Sequence, residues 1–277
     1  MAEGCSLRNS ATCSFNVRGI PKGSTVKKAF LYWAYTSTFG SASSLQKHII
    51  FDGFDIAGKL IGNGSDACWC GGTTGANTNV VYRANVTPYV LTHNVTHTVG
   101  VPVGANPLTS GENPWSHTVC PTTKNTMQGL PDGASLVVVF TNSAETGTTV
   151  IYDAPLAGTE WFGSTLTYTL SGVPTPGAGN TIFTEIGADG QIGGGYTATI
   201  ANKPTAINGT IIAGPSGIDP DSDWNGTDGV PLNQLWDTHT HDITGILSGG
   251  TDTVSVTSNC TPNCDCLIGV ANVLTVR

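Results

Sequence analysis

The sequence predicts an all-β protein, an antiparallel β-sandwich of jelly-roll type stabilised by disulfides. Three observations predict it. Turn-forming residues are abundant, with 36 Gly and 15 Pro in 277 residues. Stretches of the helix formers Ala, Leu, Glu and Lys are scarce. Short runs of alternating apolar and polar residues recur between clusters of Gly, Pro and Asn. The chain is long enough for one large sandwich or two packed lobes, and either buries an ample core.

The strands follow in order. Residues 26–35 (VKKAFLYWAY) are apolar on both faces from Ala29 onward, which suits a central strand covered on both sides. Residues 47–51 run into Asp52-Gly53, a hairpin turn signal, and 54–61 return. Residues 80–90, 95–103 and 134–140 continue the series. Residues 165–170 and 253–257 alternate cleanly, as strands with one wet face do, and 267–276 is apolar enough for a buried last strand. No flexible linker divides the chain. The expected organisation is an N-terminal cysteine-bearing segment, 1–18, and a sandwich module, 19–277, with any lobe boundary near 145–175.

Eleven basic and 19 acidic residues give a net charge of -8. Such a surface has no basic patch for nucleic acid or anionic lipid. No run of 18 apolar residues suggests membrane insertion. The first residues lack the basic region and apolar core of a leader, so the numbering is expected to start near a mature N-terminus. The eight cysteines are Cys5, Cys13, Cys68, Cys70, Cys120, Cys260, Cys264 and Cys266. An even count in loop-like sequence points to disulfides in an oxidising compartment, mainly as local staples. Cys5 with Cys13, and a pair within Cys260, Cys264 and Cys266, are the favoured ones. Zinc is the rival, but Cys68-Trp69-Cys70 and Cys264-Asp265-Cys266 place one residue between thiols, where zinc knuckles have two to four.

The sharpest local motif is Asp219-Pro220-Asp221-Ser222-Asp223-Trp224-Asn225-Gly226-Thr227-Asp228. Oxygens at positions 1, 3, 5 and 7 of a tight loop wrap a hard cation. Calcium on Asp219, Asp221, Asp223, Asn225 and Asp228 is therefore weighed against a merely acidic turn. Asp237, His239 and His241 share one face of a strand, and the two histidines could ligate a transition metal only with a third ligand from elsewhere, which the sequence does not name. His97 lies on an apolar face and reads as a hydrogen-bonded core histidine. Only five Glu occur, none beside an acid partner. No nucleophile elbow, zincin helix or phosphate loop appears. Sequons stand at Asn63, Asn85, Asn94, Asn208 and Asn225, with a sixth at Asn259 beside Cys260. N-glycosylation is entertained at the first five.

The motif Gly19-Ile20-Pro21-Lys22-Gly23-Ser24-Thr25-Val26-Lys27-Lys28-Ala29-Phe30-Leu31-Tyr32-Trp33 resembles a family pattern. Ile50-Phe51-Asp52-Gly53, Tyr82-Arg83-Ala84-Asn85-Val86-Thr87-Pro88-Tyr89-Val90 and Asp132-Gly133-Ala134-Ser135-Leu136-Val137-Val138-Val139-Phe140 follow in the same order. So do Leu235-Trp236-Asp237-Thr238-His239-Thr240-His241-Asp242-Ile243 and Asp265-Cys266-Leu267-Ile268-Gly269-Val270-Ala271-Asn272-Val273-Leu274. The family is a domain of unknown function, a large extracellular β-sandwich module of bacterial and archaeal surface proteins. The resemblance implies a secreted or surface location and no catalytic residues.

The expected function is a structural protein outside the cell, a self-assembling subunit of a filament, sheath or surface layer. Its partners are copies of itself, and residues 1–18 are the segment expected to add a strand to a neighbour. Cys5, Leu7, Cys13, Phe15 and Val17 would share the apolar side of that segment. The alternative is a monomeric adhesion module binding glycans through Trp69, Trp115, Trp161 and Trp224. A secreted hydrolase ranks last.

Overall fold

The structure, a computed structural model, describes residues 1–7, 10–38, 46–65, 77–90, 95–102, 130–143, 146–161, 163–191, 203–228, 234–258 and 265–277. Four antiparallel sheets lie in layers. In the first lobe the inner sheet has the order β1 (Ala2–Ser6), β9 (Leu130–Thr141), β3 (Thr25–Thr38), β7 (Asn77–Asn85) and β6 (Lys59–Ser65). The outer sheet facing it has the order β2 (Thr12–Asn16), β8 (Thr96–Gly100), β4 (His48–Phe51) and β5 (Phe54–Ala57). In the second lobe the inner sheet is β10 (Thr148–Asp153), β17 (Ile268–Val276), β12 (Thr181–Gln191) and β15 (Gln234–Asp242). Its outer sheet is β11 (Thr165–Val173), β16 (Gly250–Thr257), β13 (Thr205–Ile207) and β14 (Thr210–Ala213).

Each lobe closes on its own core, and a third core joins them. Leu31, Trp33, Tyr35 and Leu136 of one sheet meet Phe15, Ile49, Phe51 and Val99 of the other in the first lobe. Phe183 and Leu274 meet Leu170, Ile207, Val254 and Val256 in the second. Between the two inner sheets lie Tyr32, Ala34, Val81 and Val137 on one side, with Ile186, Trp236, Ile268 and Val270 on the other. This explains the two-faced strand at 26–35. From Ala29 onward its odd residues fill a lobe core and its even residues fill the seam between lobes, so neither face is wet there. The last strand is buried on both sides for the same reason. A register shift opposite Ile186 and Gly187 changes which of its residues face the seam.

Three expectations are corrected. The return strand at 54–61 is two strands in different sheets, since the chain crosses between layers at Gly58. A side chain there would run into the Trp33 ring. The strand at 80–90 ends at Asn85, and Thr87–Tyr89 form a 3-10 turn led by Pro88. The segment 1–18 is not an unpartnered arm. β1 pairs with β9 at the edge of the inner sheet, and β2 pairs with β8 at the edge of the outer one. Cys5 is bonded to Cys13, which ties the two edges together. Leu7, Phe15 and Val17 are fully buried in the core of their own lobe. Cys266 is also disulfide-bonded. Cys68, Cys70, Cys120, Cys260 and Cys264 lie outside the described residues, as do Asn94, Trp69 and Trp115.

Candidate functional site

Titratable side chains collect inside the second lobe, where β15 faces the loop 219–228. β15 alternates. Trp236 and Thr238 turn to the first lobe, and the Trp236 indole donates to Ser135 Oγ at 2.8 Å. Asp237, His239 and His241 turn the other way, beneath the loop. The loop is held by its own turn chemistry: Asp219 Oδ1 accepts the Asp221 N–H at 3.1 Å, and Asp221 Oδ1 accepts the Ser222 N–H at 3.0 Å. Asn225 Nδ2 donates to Asp221 Oδ1 at 2.7 Å. Trp224 plugs the core. Its ring meets Trp161 edge-on at 5.3 Å and covers Gly187, where a Cβ would clash with it. Trp161 and Trp224, two of the four tryptophans considered for sugar stacking, are thus core residues, 8% and 1% exposed.

The acids of the loop part company. Asp223 Oδ1 lies 2.7 Å from His241 Nε2 and 3.6 Å from His239 Nδ1. Asp219 is half-exposed, with Oδ2 3.9 Å from His241 Nδ1. Asp228 points to the lobe seam, where Gly4 of β1 leaves room for its carboxylate. Among the described residues, no three of Asp219, Asp221, Asp223 and Asp228 bring carboxylate oxygens within 4.8 Å of one another. The carboxylates of the expected calcium loop thus do not converge on one point: turn hydrogen bonds occupy Asp219 Oδ1 and Asp221 Oδ1, and His241 takes Asp223 Oδ1. Among the described residues, the one grouping that meets that distance is Glu160, Asp189 and Cys266, and the Cys266 sulfur is committed to a disulfide.

Sequence reasoning missed the other half of this network. Glu185 of β12 is buried beside Asp223. Its Oε2 accepts the Thr205 hydroxyl at 2.9 Å, and Oε1 accepts the Tyr168 hydroxyl at 3.2 Å. The Tyr168 hydroxyl also lies 2.9 Å from Asn272 Oδ1. Burial, then the charge of Asp223, push the Glu185 carboxyl up to about 8. Burial pushes Asp237 up as well, opposed by His239. Burial and Asp237 raise Asp228 to about 7. Burial works against a charged His239, but the Asp237 hydrogen bond, with the charges of Asp237, Asp223 and Asp228, outweighs it and lifts the imidazole to about 9. The arrangement holds protons between buried acids and a histidinium. A local signal existed only for the alternating face of β15, because Glu185 and Asp223 stand far apart in the sequence.

Elsewhere, His97 is a core histidine. It stacks on Phe51 with centroids 5.2 Å apart, and Nδ1 lies 2.6 Å from Asp52 Oδ2. Arg83 and the Tyr32 hydroxyl both bind Asp153, fastening β7 and β3 to β10 across the seam. A groove of about 300 Å³ runs along the seam between Val137–Asn142 and Thr149, Val273 and Thr275. The sequons divide. Asn63 and Asn85 are exposed, and Asn85 Oδ1 accepts the Thr87 hydroxyl at 2.6 Å. Asn208 Nδ2 is bound to the Ile246 carbonyl and to Asp252. Asn225 is 1% exposed, so the folded protein has no room for a glycan on it.

No family model matches the chain, and no curated protein matches it. Solved structures give distant likenesses. One is a β-porphyranase of glycoside hydrolase family 86 from the human gut bacterium Bacteroides plebeius, 11% identical, covering 99% of this chain and 34% of that one, at a TM-score of 0.29. This chain thus spans about a third of that enzyme. A second is PNGase F, a glycosylasparaginase from Flavobacterium meningosepticum, 12% identical over 100% of this chain and 96% of that one, at 0.30. A third is the mavirus major capsid protein, 6% identical over 99% and 86%, at 0.21. At these scores none assigns a function to this chain.

Proposed function

We propose that the protein is a non-catalytic structural subunit of an assembly outside the cell, whose copies join through residues 1–18. The observation that carries the reading is how this segment is held. It joins the module through a single connection, residues 17–24, and completes both sheets of the first lobe at their edges. It delivers Leu7, Phe15 and Val17 into the core, and Cys5–Cys13 keeps its two strands as one unit. An element that fits its own lobe fits the same slot in a second copy equally well. Exchange of such an element is a low-cost route to oligomers, and a head-to-tail exchange that does not close propagates. Burial of Glu185, Asp223, Asp237 and His241 fits a scaffold better than a catalyst, because none of the four presents an open face. The disulfides fit an oxidising compartment.

Deleting residues 1–18 tests it. The truncated chain should remain folded, lose assembly, and bind an added oxidised peptide of residues 1–18 in a one-to-one complex. A truncated chain that assembles as the intact one does, or that ignores the peptide, would contradict the proposal.

A further inference from the structure

We infer that Lys203 and Asp265 are joined by an intramolecular isopeptide bond, an amide between Nζ and Cγ. The inference is independent of how copies of the chain associate.

Lys203 lies just before β13 in the outer sheet of the second lobe, and Asp265 just before β17 in the inner sheet. Nζ touches Oδ2, and both side chains are 1% exposed. The surroundings hold both residues in place. Ser222 Oγ donates to the Lys203 carbonyl at 3.2 Å, and Ser258 Oγ donates to the Asp265 carbonyl at 2.6 Å. The Cys266 N–H donates to Asp265 Oδ1 at 3.0 Å, which turns the other oxygen, Oδ2, to the amine. Asp237 stands within electrostatic reach of Lys203. Glu160 and Asp189 crowd the neighbouring Cys266.

The chemistry follows from the placement. A charged pair in a dry interior is costly, and moving one proton from Nζ to Oδ2 neutralises both partners. The neutral amine is then a nucleophile already in contact with the carboxyl group, so no encounter has to be made. Attack forms the Nζ–Cγ bond. The negative charge that develops on Oδ1 is received by the Cys266 N–H already aimed at it. The Cγ–Oδ2 bond then breaks, and Oδ2 leaves as water carrying two of the three ammonium protons. The third stays on the amide nitrogen. Ammonium and carboxylate are thus converted to amide and water with no oxidant or other reactant. Exclusion of water from the pair favours condensation over the reverse hydrolysis. The product ties the two sheets of the second lobe together, between residues 62 apart in sequence.

Mass spectrometry of the intact chain decides it, after full reduction, alkylation and denaturation. The wild-type protein should be lighter than its sequence by one water, and proteolysis should release a branched peptide containing both Lys203 and Asp265. Lys203→Arg and Asp265→Ala should each restore the full sequence mass. Asp265→Asn should condense with loss of ammonia and give the same product as the wild type. A wild-type chain of full sequence mass overturns the inference whatever the variants do. So does a missing water without the branched peptide.

Discussion

Glu185 shows how a single residue sets the pH response of this fold. Its carboxyl is raised from 4.5 to about 8, first by burial and then by Asp223. A raised acid binds its proton more tightly in the folded state. Its contribution to stability is therefore complete below pH 4.5 and is lost as pH rises through about 8. Asp228, raised from 3.8 to about 7, acts in the same direction over a lower range. His239, raised from 6.5 to about 9, does so over a higher one. The three windows join, so the thermal midpoint should fall steadily between mild acid and pH 9. Glu185→Gln should flatten that profile by removing one of the titrating groups while keeping its shape. A midpoint that rises with pH, or a Glu185→Gln profile parallel to the wild type, would show the network to be arranged differently. The sequons belong to the same scale. In a host that glycosylates secreted chains, glycopeptide mapping should find sugar at Asn63 and Asn85. Folded protein carrying sugar at Asn225 would contradict the burial of that side chain.

Elements are held in place by close approach across the seam and by the Cys5–Cys13 bond. Gly133 of β9 lies under the Trp236 ring, where a Cβ has no room. Gly133→Ala should overpack the seam and cost about 1–3 kcal/mol in denaturant unfolding. Gly209, in the open turn between β13 and β14, has nothing near its Cβ but sits at φ +81, so its replacement by Ala strains the backbone without touching a neighbour. The Cys5–Cys13 bond closes a short loop. Replacing both cysteines by serine should lower stability by about 2.5 kcal/mol on chain-entropy grounds. A loss near zero would mean that β1 and β2 dock without the covalent tie. At this scale the sequence was informative wherever burial imposes a pattern. β3 and β17 declared themselves as two-faced apolar runs, and β11 and β16 by alternation. β12 did not, because Glu185, Gly187, Asp189 and Gly190 break its pattern: Glu185 faces Asp223, the two glycines make room for Trp224 and Asp237, and Asp189 lies by Glu160 and Cys266. The aspartate spacing at 219–223 spoke for a cation loop, but spacing along a chain says nothing about which partners fold over it. His241 and His239 claimed Asp223 from another strand, and the Lys203–Asp265 contact likewise joins residues that no local reading connects.

The molecule is two sandwiches sharing an apolar seam, with the N-terminal segment at one edge of both sheets of the first. Trp236, Tyr32 and Ile186 in that seam make the lobes one body rather than beads on a linker. Arg83 and Tyr32 gripping Asp153 reinforce the join from the rim. The chain passes from the first lobe to the second between Thr141, the end of β9, and Thr148, the start of β10, at the early end of the range 145–175 expected for a boundary. Sedimentation velocity of the intact chain across a wide concentration range tests its association. A ladder of species growing with concentration is expected, collapsing to monomer when residues 1–18 are removed. A single monomeric boundary for the intact chain at the highest concentrations would contradict it.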